Sequence, residues 1–394
     1  MTLTVTHPAP ATHPAPGTRP PASTHSARIP APIGTVRPDD LVWDRAPMIV
    51  YWELTLACQL VCRHCRAKAM RRALPGELTH AQALGVLDDI LDFGDPLPHL
   101  ILTGGDPLER EDLFDLMDAA RERGIGVSVS PSVTPRLTRE ALHRMHASGA
   151  QAISLSLDGS DPAHHDAIRR VPGTFDATLE ALDDARDAGL CVQINTLVSA
   201  TTADDLPAIH RLLLERGAGV VSRWTLFFLI HTGRGVMMEE VSPGRGEEIL
   251  RWAASLRATS PFPVSTTEAL HHRRVLAQEM EARGWDRARI QASPAARSFG
   301  VRDGNGIVFI DHLGNVTPSG FLPLTIGSLK GSSLVDLYRD APLMHALRDP
   351  SGFGGKCGRC EYNTWCGGGR ARAWAATGDP LASDPLCPYL PGHR

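Results

Sequence analysis

An excess of charge of either sign is missing from this sequence. Its 394 residues carry 40 Lys and Arg against 44 Asp and Glu, a net charge of −4. That leaves no electrostatic footprint for nucleic acid and no polybasic patch for a membrane surface. Also missing are an apolar run long enough to cross a bilayer and a basic-then-apolar leader, so the expectation is a cytoplasmic protein. A disulfide framework is missing too. Of eight cysteines, seven fall in two clusters at opposite ends of the chain, and Cys191 stands alone in an apolar stretch as a small core residue. In a reducing compartment, clustered thiols read as metal or redox sites.

What is present divides the chain in three. Residues 1–45 repeat THPAP and continue rich in proline. Such a segment cannot bury a core, so it is read as a disordered tail, and its His7, His13 and His25 as solvated. Residues 46–240 alternate short β-rich runs ("MIVYWELT", "HLILTGG", "IGVSVS", "AISLSLDG", "CVQINTLVS", "VVSRWTLFFLI") with stretches of helical apolar spacing. Six such strand–helix units demand a parallel sheet, because right-handed crossovers return the chain to the same end. Six curl most of the way to a barrel that eight would close. The expected fold class is therefore α/β, a partial (β/α)6 TIM-like barrel. Residues 241–394 break the alternation and read as a C-terminal extension. It has two helical segments, a hairpin turning at Gly314-Asn315, a helix started or kinked at Pro342, and a glycine-rich end holding the second cysteine cluster.

The first cluster, "CQLVCRHC", spaces Cys58, Cys62 and Cys65 as C-x3-C-x2-C on the loop after the first strand. That is the end of the sheet where α/β barrels place their chemistry. Thiolates select zinc, copper(I) or iron–sulfur clusters. His64, squeezed between two of the cysteines, is a poor fourth ligand. Three thiolates holding a [4Fe–4S] cube would leave one iron open to an organic chelate.

This loop, together with the strand ends C-terminal to it, resembles the radical S-adenosylmethionine superfamily. "LILTGGDP" resembles that family's glycine motif, giving Gly104, Gly105 and Asp106, the acid as acceptor for an ammonium. "ISLSLDG" resembles the segment near the ribose, giving Ser156 and Asp158. "HDAIRRVPGTF" places Arg169 to pair with the methionine carboxylate, and Asn195 is a further ribose or adenine contact. The resemblance implies a [4Fe–4S] cluster on Cys58, Cys62 and Cys65. S-adenosylmethionine would chelate its open iron and be cleaved reductively, and the adenosyl radical would take hydrogen from a substrate. It also implies an electron donor such as flavodoxin or ferredoxin. No catalytic acid or base is singled out. Glu53 and Thr55 share a strand face, and Glu53 needs a partner, a substrate contact, or a role supporting the cluster loop.

The second cluster sets Cys357, Cys360 and Cys366 as C-x2-C-x5-C, with Cys387 beyond them. Four thiolates can close a site, and structural zinc is one reading. The spacing also resembles the SPASM and twitch extensions of the same superfamily, which implies one auxiliary [4Fe–4S] cluster suited to electron transfer. Ser319 and Arg370 stand near where a full SPASM extension carries further cysteines. The tail most resembles heme-biosynthesis-like members, implying a tetrapyrrole substrate, with Arg234, Arg297, Arg302 and Lys330 available to its acidic side chains. A maturase acting on a ribosomally made peptide is the alternative. A non-catalytic, metal-stapled binding protein is the alternative from another class.

Overall fold

The computed structural model describes residues 43–392; the readings of residues 1–42 and their histidines lie outside it. Ten strands form one sheet: β1 Ile49–Glu53, β2 His99–Thr103, β3 Val127–Val129, β4 Ala150–Ser156, β5 Cys191–Val198, β6 Val221–Phe228, β7 Val264–Thr267, β8 Ile307–Ile310, β9 Asn315–Thr317 and β10 Gly327–Ser328. Their order is β10-β9-β8-β1-β2-β3-β4-β5-β6-β7. From β1 to β7 every neighbour is parallel, and β8 joins β1 in parallel on the other side.

The six alternating units are thus the centre of a larger open sheet. The strands that extend it, β7 to β10, come from beyond residue 240. β7 is a short "VSTT" with no apolar face of its own, and β9 and β10 have three and two residues. Such strands carry too little periodicity to read from sequence. The hairpin's turn is Asp311 to Gly314, where Gly314 sits at φ +85°, and Asn315 already opens β9.

Alternation within the strands sets the two faces. Val50, Trp52, Leu100, Leu102, Val127, Val129, Ile153, Leu155, Val192, Ile194, Trp224, Leu226, Val308 and Ile310 all belong to one apolar core. That core packs under the helices α1 His80–Leu91, α2 Leu113–Glu122, α3 Arg139–Ala147, α5 Thr174–Asp187 and α6 Leu206–Arg216, while α4 Pro162–Arg169 buries Ile168 in a separate cluster with Leu197, Leu229 and Met238. The residues between them point to the concave side: Tyr51, Thr103, Ser154, Asn195, Phe227 and Thr267. A two-residue period gives each strand one dry face and one wet face. Deleting the fully buried Trp52 side chain would cost about 3–5 kcal/mol.

Helix starts follow the capping chemistry in the sequence. Thr79 and Gln82 form a reciprocal capping box at α1, and Thr138 and Asp161 accept from the first turns of α3 and α4. Helix α4 is an extra turn element inside the β4-to-α5 connection, ended by Arg170 at φ +61°. Pro342 opens the helix Pro342–Arg348 as a new helix after Leu334–Asp340. No helix among the described residues is long and apolar enough to cross a membrane.

Candidate functional site

The loop after β1 is fixed from several sides. Leu54 N–H donates to Thr103, Gly105 N–H to Thr55 and Asp106 N–H to Ala57, so the ends of β1 and β2 stay zipped beyond the strands. The loop closes on itself through Cys58 N–H to Met70 O and Met70 N–H to Leu56 O. Glu77 accepts from Thr55, Leu56 and Leu74, which makes Thr55 a support of this loop. Arg234 reaches in from after β6, donating Nε to Cys62 O at 2.8 Å and a second nitrogen to Ala69 O at 3.1 Å. Beside it Gly233, at φ +58°, has no room for a side chain: a Cβ would lie 2.4 Å from Cys65 O.

The three sulfurs of this loop each meet a donor. Cys58 Sγ accepts from Leu60 N–H at 3.4 Å, with Ser132 Oγ 3.5 Å away. Cys65 Sγ accepts from Ala69 N–H at 3.4 Å, and Arg169 approaches Cys62 Sγ at 3.6 Å. Donors aimed at sulfur suit thiolate ligands of an iron–sulfur cluster and help set its potential. Burial pushes the Cys58 thiol up to about 11. Without a metal it stays protonated at neutral pH, and a bound cluster would displace that proton. His64, half-buried between these cysteines, is driven down to about 4 by desolvation of its ring, so the ring is neutral.

Beside the loop, on the concave face, lies a cavity of about 290 Å³. It brings together Gly104, Gly105, Ser156, Arg169 and Asn195. It leaves out Asp106 and Asp158. The Asp106 carboxylate turns into its own loop, accepting from Leu108 N–H, Ser132 N–H and Thr134 Oγ1. Asp158 is fully buried and accepts from Leu197 N–H at 2.7 Å, while its other oxygen stands 2.6 Å from an Arg169 nitrogen. The reason is local: β4 ends at Ser156, so the strand alternation that would aim residue 158 inward no longer applies. Arg169 keeps a buried Nε with no partner, a cradle into which a ligand carboxylate fits. The Gly-Gly pair is explained by the neighbouring loop. A Cβ on Gly104 would sit 2.8 Å from Thr55 O, and one on Gly105 2.3 Å from Ala57 O.

The same cavity is lined and supported by further side chains that sequence reasoning missed. Arg66, directly after Cys65, lines the cavity, stacks at 4.5 Å over Phe309 and donates to Glu53 at 2.8 Å. Glu53 also pairs with His312 Nδ1 at 2.8 Å, so its partners are this cation and this ring. Arg66 was legible only as a basic residue beside a cysteine; Phe309 and His312 carry no motif. Of the basic residues expected at the substrate, Arg234 holds the cluster loop, and Arg302 donates to Leu347, Gly300 and Arg348 carbonyls. Lys330 reaches Gly76 O at the surface, and the Arg297 side chain lies outside the described residues. None of the three described lines the cavity.

The second cysteine set surrounds a small hollow lined by Cys357, Cys360, Cys366 and Cys387, with Arg274, Lys356 and Gly368 beside them. Here too the sulfurs face donors: Asp384 N–H to Cys357 at 3.4 Å, Gly368 N–H to Cys366 at 3.3 Å, and Arg274 to Cys387 at 3.8 Å. Gly368, at φ +70°, would place a Cβ 2.9 Å from Cys357 Sγ. Burial raises Cys360 to about 11 and Cys366 to about 12. Arg370 is fully buried and ties Gly368, Pro380 and Ala382 carbonyls together around this set. Ser319 lines the large cavity instead. Among the described residues no three His, Cys, Asp or Glu side chains converge on a single-ion site.

Residues 52–213 match the family model of the radical SAM superfamily. The chain is 36% identical over 345 residues to the AdoMet-dependent heme synthase of Nitratidesulfovibrio vulgaris, covering 87% of this chain and 92% of that protein. It is also 36% identical over 349 residues to the AdoMet-dependent heme synthase of Methanosarcina barkeri, covering 89% and 98%. Among solved structures it is similar to Streptococcus suis SuiB bound to the precursor peptide SuiA. The TM-score is 0.67 at 16% identity, over 88% of this chain and 76% of that one, a likeness of fold alone.

Proposed function

Since this chain belongs to the radical SAM superfamily and is an enzyme of the heme-synthase type, we propose that it acts on a tetrapyrrole. It takes a carboxylate-bearing side chain through oxidative decarboxylation or a related modification. When bound, the [4Fe–4S] cluster on Cys58, Cys62 and Cys65 and S-adenosylmethionine supply the radical that takes hydrogen from substrate.

The observation that carries the substrate reading is Arg66. It is the cavity's one lining cation, among the described residues, that is not paired to Asp158, and it is held by Glu53 and Phe309 with its guanidinium at the cavity wall. A planar guanidinium so fixed is suited to a carboxylate. Phe309, Phe321, Phe227 and Ile307 add apolar wall of the kind a flat macrocycle would cover.

Elsewhere in the cavity, the chain's own residues would hold the cofactor. Arg169 offers its unpartnered Nε to a carboxylate, Ser156 and Asn195 offer hydrogen bonds, and Gly104 and Gly105 keep the β1 and β2 loops in register. The four C-terminal cysteines would hold an auxiliary [4Fe–4S] cluster, which suits uptake of the electron that a decarboxylating side chain leaves behind.

The test is anaerobic reconstitution, then incubation with iron-coproporphyrin III, S-adenosylmethionine and reductant. The expected result is 5′-deoxyadenosine together with loss of the elements of CO2 and H2 from a side chain, read by mass spectrometry. An unchanged tetrapyrrole beside a modified precursor peptide would favour the maturase reading. Protein that binds only zinc and forms no deoxyadenosine would be a binding protein.

A further inference from the structure

Glu268 comes directly after β7, at the end of the sheet where the cluster loop also lies, and it lines the large cavity. Three observations set it apart. Its residue is only 8% exposed, yet among the described residues no hydrogen bond or ion pair reaches its carboxyl; only its backbone oxygen is used, as acceptor for Arg372. Its backbone is left-handed, at φ +61°, a conformation costly for a residue with a Cβ that persists only where the surroundings enforce it. That enforcement is visible. Arg372 is itself locked by Glu240 at 2.7 Å and Leu229 O at 2.8 Å, and its pull on the Glu268 carbonyl fixes the turn. A buried carboxyl with no partner, held in a strained turn and facing a cavity, is a group kept for a ligand.

We propose that Glu268 contacts the substrate as a hydrogen-bond donor, holding an oxygen acceptor of the tetrapyrrole at a point of the cavity distinct from Arg66. This rests on the tetrapyrrole reading above and adds a second recognition point to it. The surroundings favour the donor form. Burial raises the Glu268 carboxyl well above its usual range, Asp303 pushes the same way, Arg372 opposes and Asp384 adds to the rise. Tyr51, which also lines the cavity, is pushed up to about 12, by burial first, with Arg223 opposing and Glu268 reinforcing. His271 and His272 are driven down to about 4 and about 3 by burial and carry no charge to it. A neutral carboxyl can give a proton-bearing oxygen to a substrate carboxylate or carbonyl, where an ionised one would repel it.

The test is a titration of cluster-loaded enzyme with iron-coproporphyrin III, read by its Soret band, beside thermal melts and iron content. Glu268→Gln keeps a neutral donor and is expected to bind within about threefold of wild type. Glu268→Ala and Glu268→Gly remove it and are expected to bind about tenfold more weakly or worse, with iron content unchanged. Glycine also relaxes the left-handed backbone, so Glu268→Gly is expected to melt no lower than wild type while binding poorly. A purely structural role would not separate those two readings. If Glu268→Ala and Glu268→Gly bind like wild type, the inference falls and the tetrapyrrole reading stands. If wild type itself does not bind the probe, the tetrapyrrole reading falls and takes this inference with it.

Discussion

A nitrogen of Arg169 stands 2.6 Å from Asp158 Oδ2, and both side chains are withdrawn from water. Burial, the largest single influence, would raise the Asp158 carboxyl; the Arg169 guanidinium, joined by His64, His165 and the hydrogen bond from Leu197 N–H, holds that carboxyl below the usual carboxylate range. Removing one partner of such a pair leaves an uncompensated buried charge. Asp158→Asn is therefore expected to lower stability by about 3 kcal/mol at neutral pH. Asp158 has its pKa depressed by folding, so its contribution is present above the unfolded carboxylate pKa of about 3.9 and is lost as pH falls through the folded one. Urea melts of wild type and Asp158→Asn should differ at pH 7 and converge in acid. A gap that persists unchanged to low pH would mean the charge pair is not its source.

The glycines make a paired prediction. Gly105 has Ala57 O and Leu56 O where a Cβ would go, at 2.3 and 2.6 Å, and both are backbone atoms of the cluster loop that cannot move aside cheaply. Gly105→Ala is expected to cost on the order of 3 kcal/mol and to lower the iron bound at the first site. Gly85, inside α1, has nothing within 4 Å of a Cβ. Gly85→Ala should stabilise the protein by up to about 1 kcal/mol, since alanine loses less backbone freedom in a helix. Thermal melts with iron analysis of both variants check the pair.

These cases also show what the sequence made legible. The alternating units, the capping residues and both cysteine sets could be read because each is a local pattern, and local chemistry enforces it. Gly104, Gly105, Ser156, Arg169 and Asn195 do meet in one cavity. Asp106 turns away from it because Ser132 and Thr134, from the loop after β3, donate to its carboxylate; Asp158 does so because β4 ends at Ser156, which leaves its carboxylate free to meet Leu197 N–H. The role of glycine at 104 and 105 lies in backbone approach between two loops, which no spacing records. Arg66, Glu268 and the pair Phe309 and His312 come from three separated stretches, and only the curled sheet brings Arg66, Phe309 and Glu268 to one cavity.

The two cysteine sets predict separable losses. Cys58, Cys62 and Cys65 are replaceable as a group without touching the fold around Arg370, and Cys357, Cys360, Cys366 and Cys387 without touching the β1 loop. Changing the first three to alanine should remove about four iron per chain and abolish S-adenosylmethionine cleavage. Cys357→Ala should also remove about four iron, leaving reductive cleavage of S-adenosylmethionine intact while lowering product formed per deoxyadenosine. Iron assay and electron paramagnetic resonance of the reduced proteins read both. Zinc retained in the first triple variant, with no further iron, would reassign the second site.

The Arg66–Glu53–His312 chain carries the last prediction. Burial would lower the His312 pKa, but the hydrogen bond and charge of Glu53 more than reverse this and hold it above its usual value. A raised histidine pKa stabilises the fold fully below the unfolded value of about 6.5, and that stabilisation is lost as pH rises through the folded one. Wild type should therefore lose stability relative to His312→Ala as pH climbs from about 6 into the alkaline range. In the protonated trio two cations share one carboxylate, so Arg66 presents a net positive wall to the cavity at the acid end of that range. Iron-coproporphyrin III should bind more weakly as His312 deprotonates, and Arg66→Ala should weaken it by about tenfold or more with the pH slope flattened. Lysine at 66 should recover little, because an ammonium cannot both meet Glu53 and present a planar fork to a carboxylate. Affinity that ignores pH in wild type, or an Arg66→Ala protein that binds as tightly, would show that the substrate's acid groups are met elsewhere in the cavity.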